Sequence, residues 1–160
     1  MTTSFGSNPA ANLAEEHQAI RELTALLQQE QEQLIAANTE SLAALTEPKA
    51  KATARLAELA ARRHAALGAA GFEPREAGMK AWIGSPAAPT TAGQSWQELM
   101  KLVEAAKEIN RVNGTLIHRQ MARNQDTLNV LRYGTPQGNG VYGPSGHTEH
   151  SPFARHIVAG

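Results

Sequence analysis

"EINRVNGTLIHRQMARNQ", Glu108 to Gln125, supports two incompatible readings. Asn113-Gly114 between apolar residues is the dipeptide most typical of a tight β-hairpin turn. A hairpin, however, needs alternating strands on both sides. Upstream "MKLVEAAKEI" and downstream "HRQMARNQDTLNVLR" both repeat at helical spacing and carry little β-branching. The helix therefore wins, and Gly114 costs it about 1 kcal/mol relative to alanine. Asn110, Asn113, Gln120 and Asn124 continue the seam set by Leu99, Val103 and Ala106, giving a stripe that is apolar at its ends and amide-rich in the middle. Polar seam residues most often set register, so Gly114 is expected to permit a close helix crossing and the amides to bond across it.

Working outward, Ser95 with Glu98 forms a capping box that opens this helix. Trp96, Leu99, Leu102, Val103, Ala106, Ile109, Leu116, Ile117, Leu128 and Leu131 follow at helical spacing. Continued through Tyr133, the helix would be roughly 58 Å long. Before it, "GSPAAPTTAGQ" at 84–94 is a linker, and 74–83 reads as a short helix that folds Met79, Trp82 and Ile83 onto the rest.

The first half carries two seven-residue apolar repeats. Asn8-Pro9 reads as a cap and first helical residue, followed by Leu13, Ile20, Leu27 and Leu34 with Leu23 and Ala37 on companion positions. Near Asn38-Thr39 the phase is lost, so a break is expected there. Leu42, Leu45, Ala52, Leu56, Leu59 and Ala66 form the second run, whose seam also takes in Lys49 and Arg63. Those two either snorkel at the seam's edge or specify register. Pro48 is expected to kink this run or restart its helix, and "GAAG" at 68–71 to end it.

The architecture implied is all-α: long antiparallel helices packed as a coiled-coil-like bundle. Helices are expected at about 9–36, 39–69, 74–83 and 95–133, in a helical domain spanning 9–133. An N-terminal arm at 1–8 and a mobile, Gly/Pro/His-rich C-terminal tail at 134–160 flank it.

Composition excludes several function classes. Lys+Arg and Asp+Glu number 15 each, so no net field draws nucleic acid. The absence of cysteine removes thiol catalysis and thiolate metal sites. No apolar run approaches the roughly 20 residues that span a bilayer, and "MTTSFGSNPA" has no secretory pattern, so a cytoplasmic protein is expected. No carboxylate pair, phosphate loop or nucleophile elbow stands out, and no catalytic, cofactor-binding or metal residue is assigned. His147, His150 and His156 lie close enough in sequence to close on zinc, but in a glycine-rich stretch without a supporting shell they read as solvated. His17, His64 and His118 read as surface histidines, and Trp82 and Trp96 as core anchors. What remains is a binding module, with a groove between helices suited to an amphipathic helix from a partner.

The second half resembles the FlgN family of flagellar type III export chaperones. Ser95–Arg132 is similar to the family's last helix, whose Asn-x-x-Asn-Gly signature and following apolar residues are here Asn110, Asn113, Gly114, Leu116 and Ile117. "VYGPSGHT", Val141 to Thr148, resembles the family's Tyr-Gly tail motif, and "ARHIVA" its basic-then-apolar ending. The resemblance implies a non-enzymatic, cofactor-free cytosolic chaperone for the hook–filament junction proteins FlgK and FlgL. Such a chaperone shields its clients' polymerisation-prone terminal helices and brings them to the export gate and its ATPase complex. On this chain it points to Leu128, Leu131, Val141, Phe153, Ile157 and Val158 for client binding, and to Tyr142 and Gly143 for docking at the gate. The competing reading is a structural coiled-coil adaptor that homo-oligomerises and has no client.

Overall fold

Four residues seven apart, Leu13, Ile20, Leu27 and Leu34, are all buried along one stripe of the first helix. The computed structural model describes residues 8–134, and among these every regular element is helical: α1 (Leu13–Ile35), α2 (Thr39–Ala69), α3 (Glu76–Ile83) and α4 (Ala92–Tyr133). The fold is all-α, as the periodicity implies. The chain divides into two compact units, Met1–His118 and Arg119–Gly160. The first holds α1, α2, α3 and the start of α4; the second begins within α4. Of the expected arm and tail, only Asn8 and Gly134 are among the described residues.

The reversal between α1 and α2 takes three residues. Asn38 N–H donates to Gln33 O at 3.0 Å and Ala37 N–H to Leu34 O at 3.2 Å, which satisfies the last carbonyls of α1. Ala37 sits at φ 53° to make this turn. The Asn38 side chain then accepts from Ser41 N–H at 3.1 Å and caps α2. One residue thus closes a helix and starts the next, so the segment from Asn8 to Ala70 contains two long helices. Ion pairs linking Glu16 to Arg63 and Glu30 to Lys49 show that they run antiparallel.

Both N-terminal expectations shift by a few residues, for local reasons. Asn8 does cap, but its Oδ1 accepts from Ala10 N–H, two residues on, and the chain makes short turns before α1 begins at Leu13. The fourth helix opens at Ala92 instead of Ser95, whose N–H already bonds to Thr91 O at 3.1 Å. Ala92 is buried against Leu67, Met79 and Trp82, and that burial draws an extra turn out of the expected linker.

Gly71, at φ 86°, ends α2 with Phe72 N–H on Leu67 O at 2.9 Å. At Gly78 an added Cβ would lie 1.9 Å from Glu73 O, so only glycine lets α3 fold back this tightly. Met79 and Trp82 then close one core cluster, while Leu13, Ile20, Leu27, Leu99 and Ala106 form the other. Trp96 packs against both. Along α4 the buried positions Ala92, Leu99, Ala106 and Asn113 again fall seven apart. Bonds from His17 to Ser95 and from Asn113 to Leu27 place this part of α4 parallel to α1.

Candidate functional site

The α1–α2 seam alternates charge and hydrocarbon. Glu16, Leu23 and Glu30 occupy one repeating position of α1, and Leu42, Lys49, Leu56 and Arg63 one of α2. The antiparallel register brings Glu16 to Arg63, Leu23 to the level of Leu56, and Glu30 to Lys49. Arg63 is buried in the seam and paired with Glu16, while Lys49 reaches Glu30 with its side chain still 32% exposed.

Arg63 is 3% exposed and holds four helices together. Its Nε and Nη2 donate to the two oxygens of Glu16 at 2.9 and 3.2 Å, and Nη2 also donates to Glu76 Oε1 on α3 at 2.9 Å. The guanidinium lies 4.6 Å from the ring centroid of Trp96 on α4. Burial works against the Arg63 charge, but the hydrogen bonds to Glu16 and Glu76 outweigh it and its pKa is raised. For Glu76, burial favours the neutral acid, yet Arg63 and then His64 hold its pKa below the ordinary carboxylate range. His64 Nε2 approaches Glu76 Oε1 at 3.2 Å. One donor of this cluster, Arg63 Nη1, is buried with no hydrogen-bond partner among the described residues.

The second charged layer takes in the motif asparagine. Asn113, 1% exposed, donates Nδ2 to Leu27 O and to Glu30 Oε1, both at 2.9 Å, while Glu30 also pairs with Lys49. The packing expectation therefore holds for Asn113. It does not hold for Asn110, which is exposed, or for Gly114, where an added Cβ would meet nothing within 4 Å. No helix crosses closely at Gly114 because α1 is reached one residue earlier, through Asn113. Leu116 is half-buried and Ile117 exposed. His17 also corrects expectation: it is buried, and Nε2 lies 2.9 Å from Ser95 O. A carbonyl only accepts, so Nε2 carries the proton.

Within the first unit α1 lies between α2 and α4, and above it runs an open groove. Two adjoining cavities of about 750 and 300 Å³ make it up, sharing Ile20, Thr53, Val103 and Lys107 in their linings. Thr53, Leu56, Ala57 and Ala60 form the α2 wall; Trp96, Met100 and Val103 form the α4 wall; Ala77 and Lys80 of α3 close one end. Arg63 also lines it.

Within the second unit, the described part of α4 presents large apolar side chains to solvent. Leu128 is 47% and Leu131 77% exposed, and Met121, Val130 and Tyr133 are exposed as well. Asn124 is exposed between them. Of the expected client-binding set, only Leu128 and Leu131 fall among the described residues. Val141, Phe153, Ile157 and Val158, like Tyr142, Gly143 and His147, His150 and His156, lie outside them.

A family model for FlgN protein matches residues 6–150. The chain belongs to the FlgN family. Searches of curated proteins and of solved structures give no match. Family membership supports a role as a flagellar export chaperone, in a family that is not enzymatic. The matched span takes in the Asn-Gly helix and the Tyr-Gly motif and stops short of Phe153, Ile157 and Val158. Among its described residues this FlgN-family chain groups no three His, Cys, Asp or Glu side chains that could hold a metal ion, and no helix is long and apolar enough to cross a membrane.

Sequence reasoning missed Glu16, Glu30 and His17 as interior groups. The signal for the glutamates was present. They stand fourteen residues apart on α1, as Lys49 and Arg63 do on α2, on the same repeat position as Leu23 and Ala37.

Proposed function

We propose that this chain is a cytoplasmic chaperone that binds the junction proteins FlgK and FlgL through their amphipathic terminal helices, prevents their premature assembly and brings them to the export gate and its ATPase complex. The observation that carries the reading is the exposed apolar surface at the end of α4. Leu128 and Leu131 stand open to water where a helix of this spacing would ordinarily be covered. An amphipathic client helix laid along them buries both partners' apolar faces and keeps client chains from one another. Val141, Phe153, Ile157 and Val158 extend that surface in sequence, and Tyr142-Gly143 is the proposed docking element for the gate.

Co-purification with the C-terminal segment of FlgK tests this. The native chain should retain the segment in a defined heterocomplex by light scattering, and Leu128→Glu/Leu131→Glu should lose it. Retention by the double variant, or a homo-oligomer that captures nothing, overturns the reading. Tyr142→Ala should keep the client and weaken capture by the gate; equal loss of both rejects the separate docking role.

A further inference from the structure

Asn113 is the last buried residue of α4, and Gly114 follows it directly. We propose that this pair is a deamidation site gated by α4 itself. It is closed while α4 is seated on α1, opens when this stretch lifts away, and once it has reacted keeps the helix off. The inference goes beyond the client reading and does not depend on it.

The chemistry is intramolecular. The deprotonated backbone nitrogen of Gly114 attacks Asn113 Cγ, so that a new N–Cγ bond forms and the Cγ–Nδ2 bond breaks. Nδ2 leaves as ammonia, taking up through solvent the proton that Gly114 N–H gave up. Water then opens the cyclic imide at either carbonyl, giving aspartate or isoaspartate. Water is consumed and ammonia released, with no oxidant, reductant or cofactor. Glycine hinders the attack least, because it has no Cβ beside its nitrogen.

In the seated helix each requirement is blocked. Gly114 N–H is engaged in the helical bond to the carbonyl one turn earlier. Asn113 Nδ2 is held by Leu27 O and Glu30 Oε1, both at 2.9 Å, and the residue is 1% exposed, so water has no path to Cγ. Yet this lock sits where α4 is most easily opened. No residue of α4 beyond Asn113 is buried, and from Met121 to Tyr133 all are exposed. Stretches with few buried contacts open locally at less cost than the core, and Gly114 further weakens the helix there.

The product cannot return to the seat. Nδ2 becomes an oxygen facing two acceptors, Leu27 O and Glu30, and Oδ1 already has no hydrogen-bond partner among the described residues. A carboxylate only accepts, so neither of its oxygens finds a donor. Lys49 is already paired with Glu30, and a second buried carboxylate beside that pair is surplus charge. Isoaspartate also lengthens the main chain by a methylene, which breaks the helical register.

The test incubates the full chain at mildly alkaline pH across a urea series, with circular dichroism on the same samples. Tryptic mass spectrometry reads conversion in the Val112–Arg119 peptide, and a synthetic peptide of that sequence gives the unrestrained rate in each buffer. In native buffer Asn113 should react at least about tenfold slower than the synthetic peptide. Its rate should climb at urea concentrations that leave the circular dichroism unchanged, and should match the peptide once the chain unfolds. In the unfolded chain Gly114→Ala should suppress conversion at Asn113 and leave Asn139-Gly140, the other such pair in the sequence, reacting as before. Asn113→Asp, which reproduces one product, should leave α1 and α2 protected in hydrogen–deuterium exchange and expose the α4 amides around residue 113. Asn113→Leu, which removes the amide without adding charge, should expose them less.

Equal rates in the native chain and the peptide, acceleration only in step with global unfolding, or no conversion in the unfolded chain would each overturn the gated site. Undiminished conversion in Gly114→Ala would overturn the assigned chemistry. Native-like protection of α4 in Asn113→Asp, equal exposure in Asn113→Leu, or loss of protection throughout α1 and α2 as well would overturn the one-way action on α4.

Discussion

Replacing Glu16 by leucine tests whether the buried charges act as a unit. Arg63 would keep Glu76, whose side chain is 55% exposed and holds the guanidinium from the solvent side. The buried pair with Glu16, at 3% and 4% side-chain exposure, would be gone. Removing one partner of a buried pair costs about 3–5 kcal/mol where the remaining charge is uncompensated, and Glu76 should hold this loss to the lower end. The reverse change, Arg63→Met, strands Glu16 and should cost a similar amount. In the double variant Glu16→Leu/Arg63→Met both charges leave together, and methionine beside Trp96 recovers part of the lost cation–π contact through a sulfur–aromatic one. Stability should return to within about 1 kcal/mol of the native chain, because apolar replacement of a buried pair is often neutral or better.

The assay is urea unfolding followed by far-ultraviolet circular dichroism on all four proteins. Native stabilities run about 5–15 kcal/mol, so each single variant should lose a large part of its transition midpoint. A coupling of more than about 2 kcal/mol between the two sites is the expected result. If the losses simply add, so that the double variant is the worst of the four, Glu16 and Arg63 do not form a mutually dependent pair and the ionic-layer account fails.

Three further outcomes follow from local geometry. Gly114→Ala should stabilise the chain by up to about 1 kcal/mol, since alanine is the better helix former and its methyl meets no atom within 4 Å; a lower midpoint in thermal melts would show an unseen packing role for this glycine. Ala37→Gly, at φ 53°, should raise the midpoint slightly, because the left-handed conformation costs a non-glycine residue about 1–2 kcal/mol and glycine's extra chain entropy returns only part of it; a loss would contradict this. Glu76 has a lowered folded pKa, so its contribution is present above its unfolded value, about 4.3, and is lost as pH falls through the folded one. The melting temperature should therefore fall less between pH 5 and pH 3 in Glu76→Gln than in the native chain, and equal falls would exclude this contribution.

Much of the fold was readable because packing repeats. Leu13, Ile20, Leu27 and Leu34 announce their face by a seven-residue period that surface chemistry has no reason to produce. Lys49 and Arg63 showed as anomalies in the second repeat. Their partners did not, because a glutamate on a helix is by default solvated, and only the register between helices turns Glu16 and Glu30 inward. His17 was hidden for the same reason: Ser95 O comes within reach only once α4 lies beside α1. The capping box at Ser95 was a sound local signal that lost to burial of Ala92. Leu128 and Leu131 continue the apolar spacing of α4, and only the family resemblance assigned them to client binding; the structure exposes both. Spacing shows that residues share a face; it does not show whether anything covers that face.

The alternation of charged and apolar layers explains why such an expensive seam persists. A plain leucine hairpin of this length could slip by one heptad with little loss, because every seventh residue is equivalent. Here a slip of α2 by seven residues toward the turn sets Arg63 against Leu23 and Lys49 against Ala37, and leaves Glu16 with no cation. The opposite slip sets Lys49 against Leu23 and Glu16 against Leu56. Each strands buried charge at several kcal/mol, far more than the pairs contribute in the native register over an apolar seam. Asn113 adds a check from α4, since its amide finds both Leu27 O and Glu30 only where α4 is seated at the observed level. The polar atoms of the core thus act mainly against alternatives. That suits a member of a flagellar export chaperone family, because its own helices must not be the ones that exchange partners.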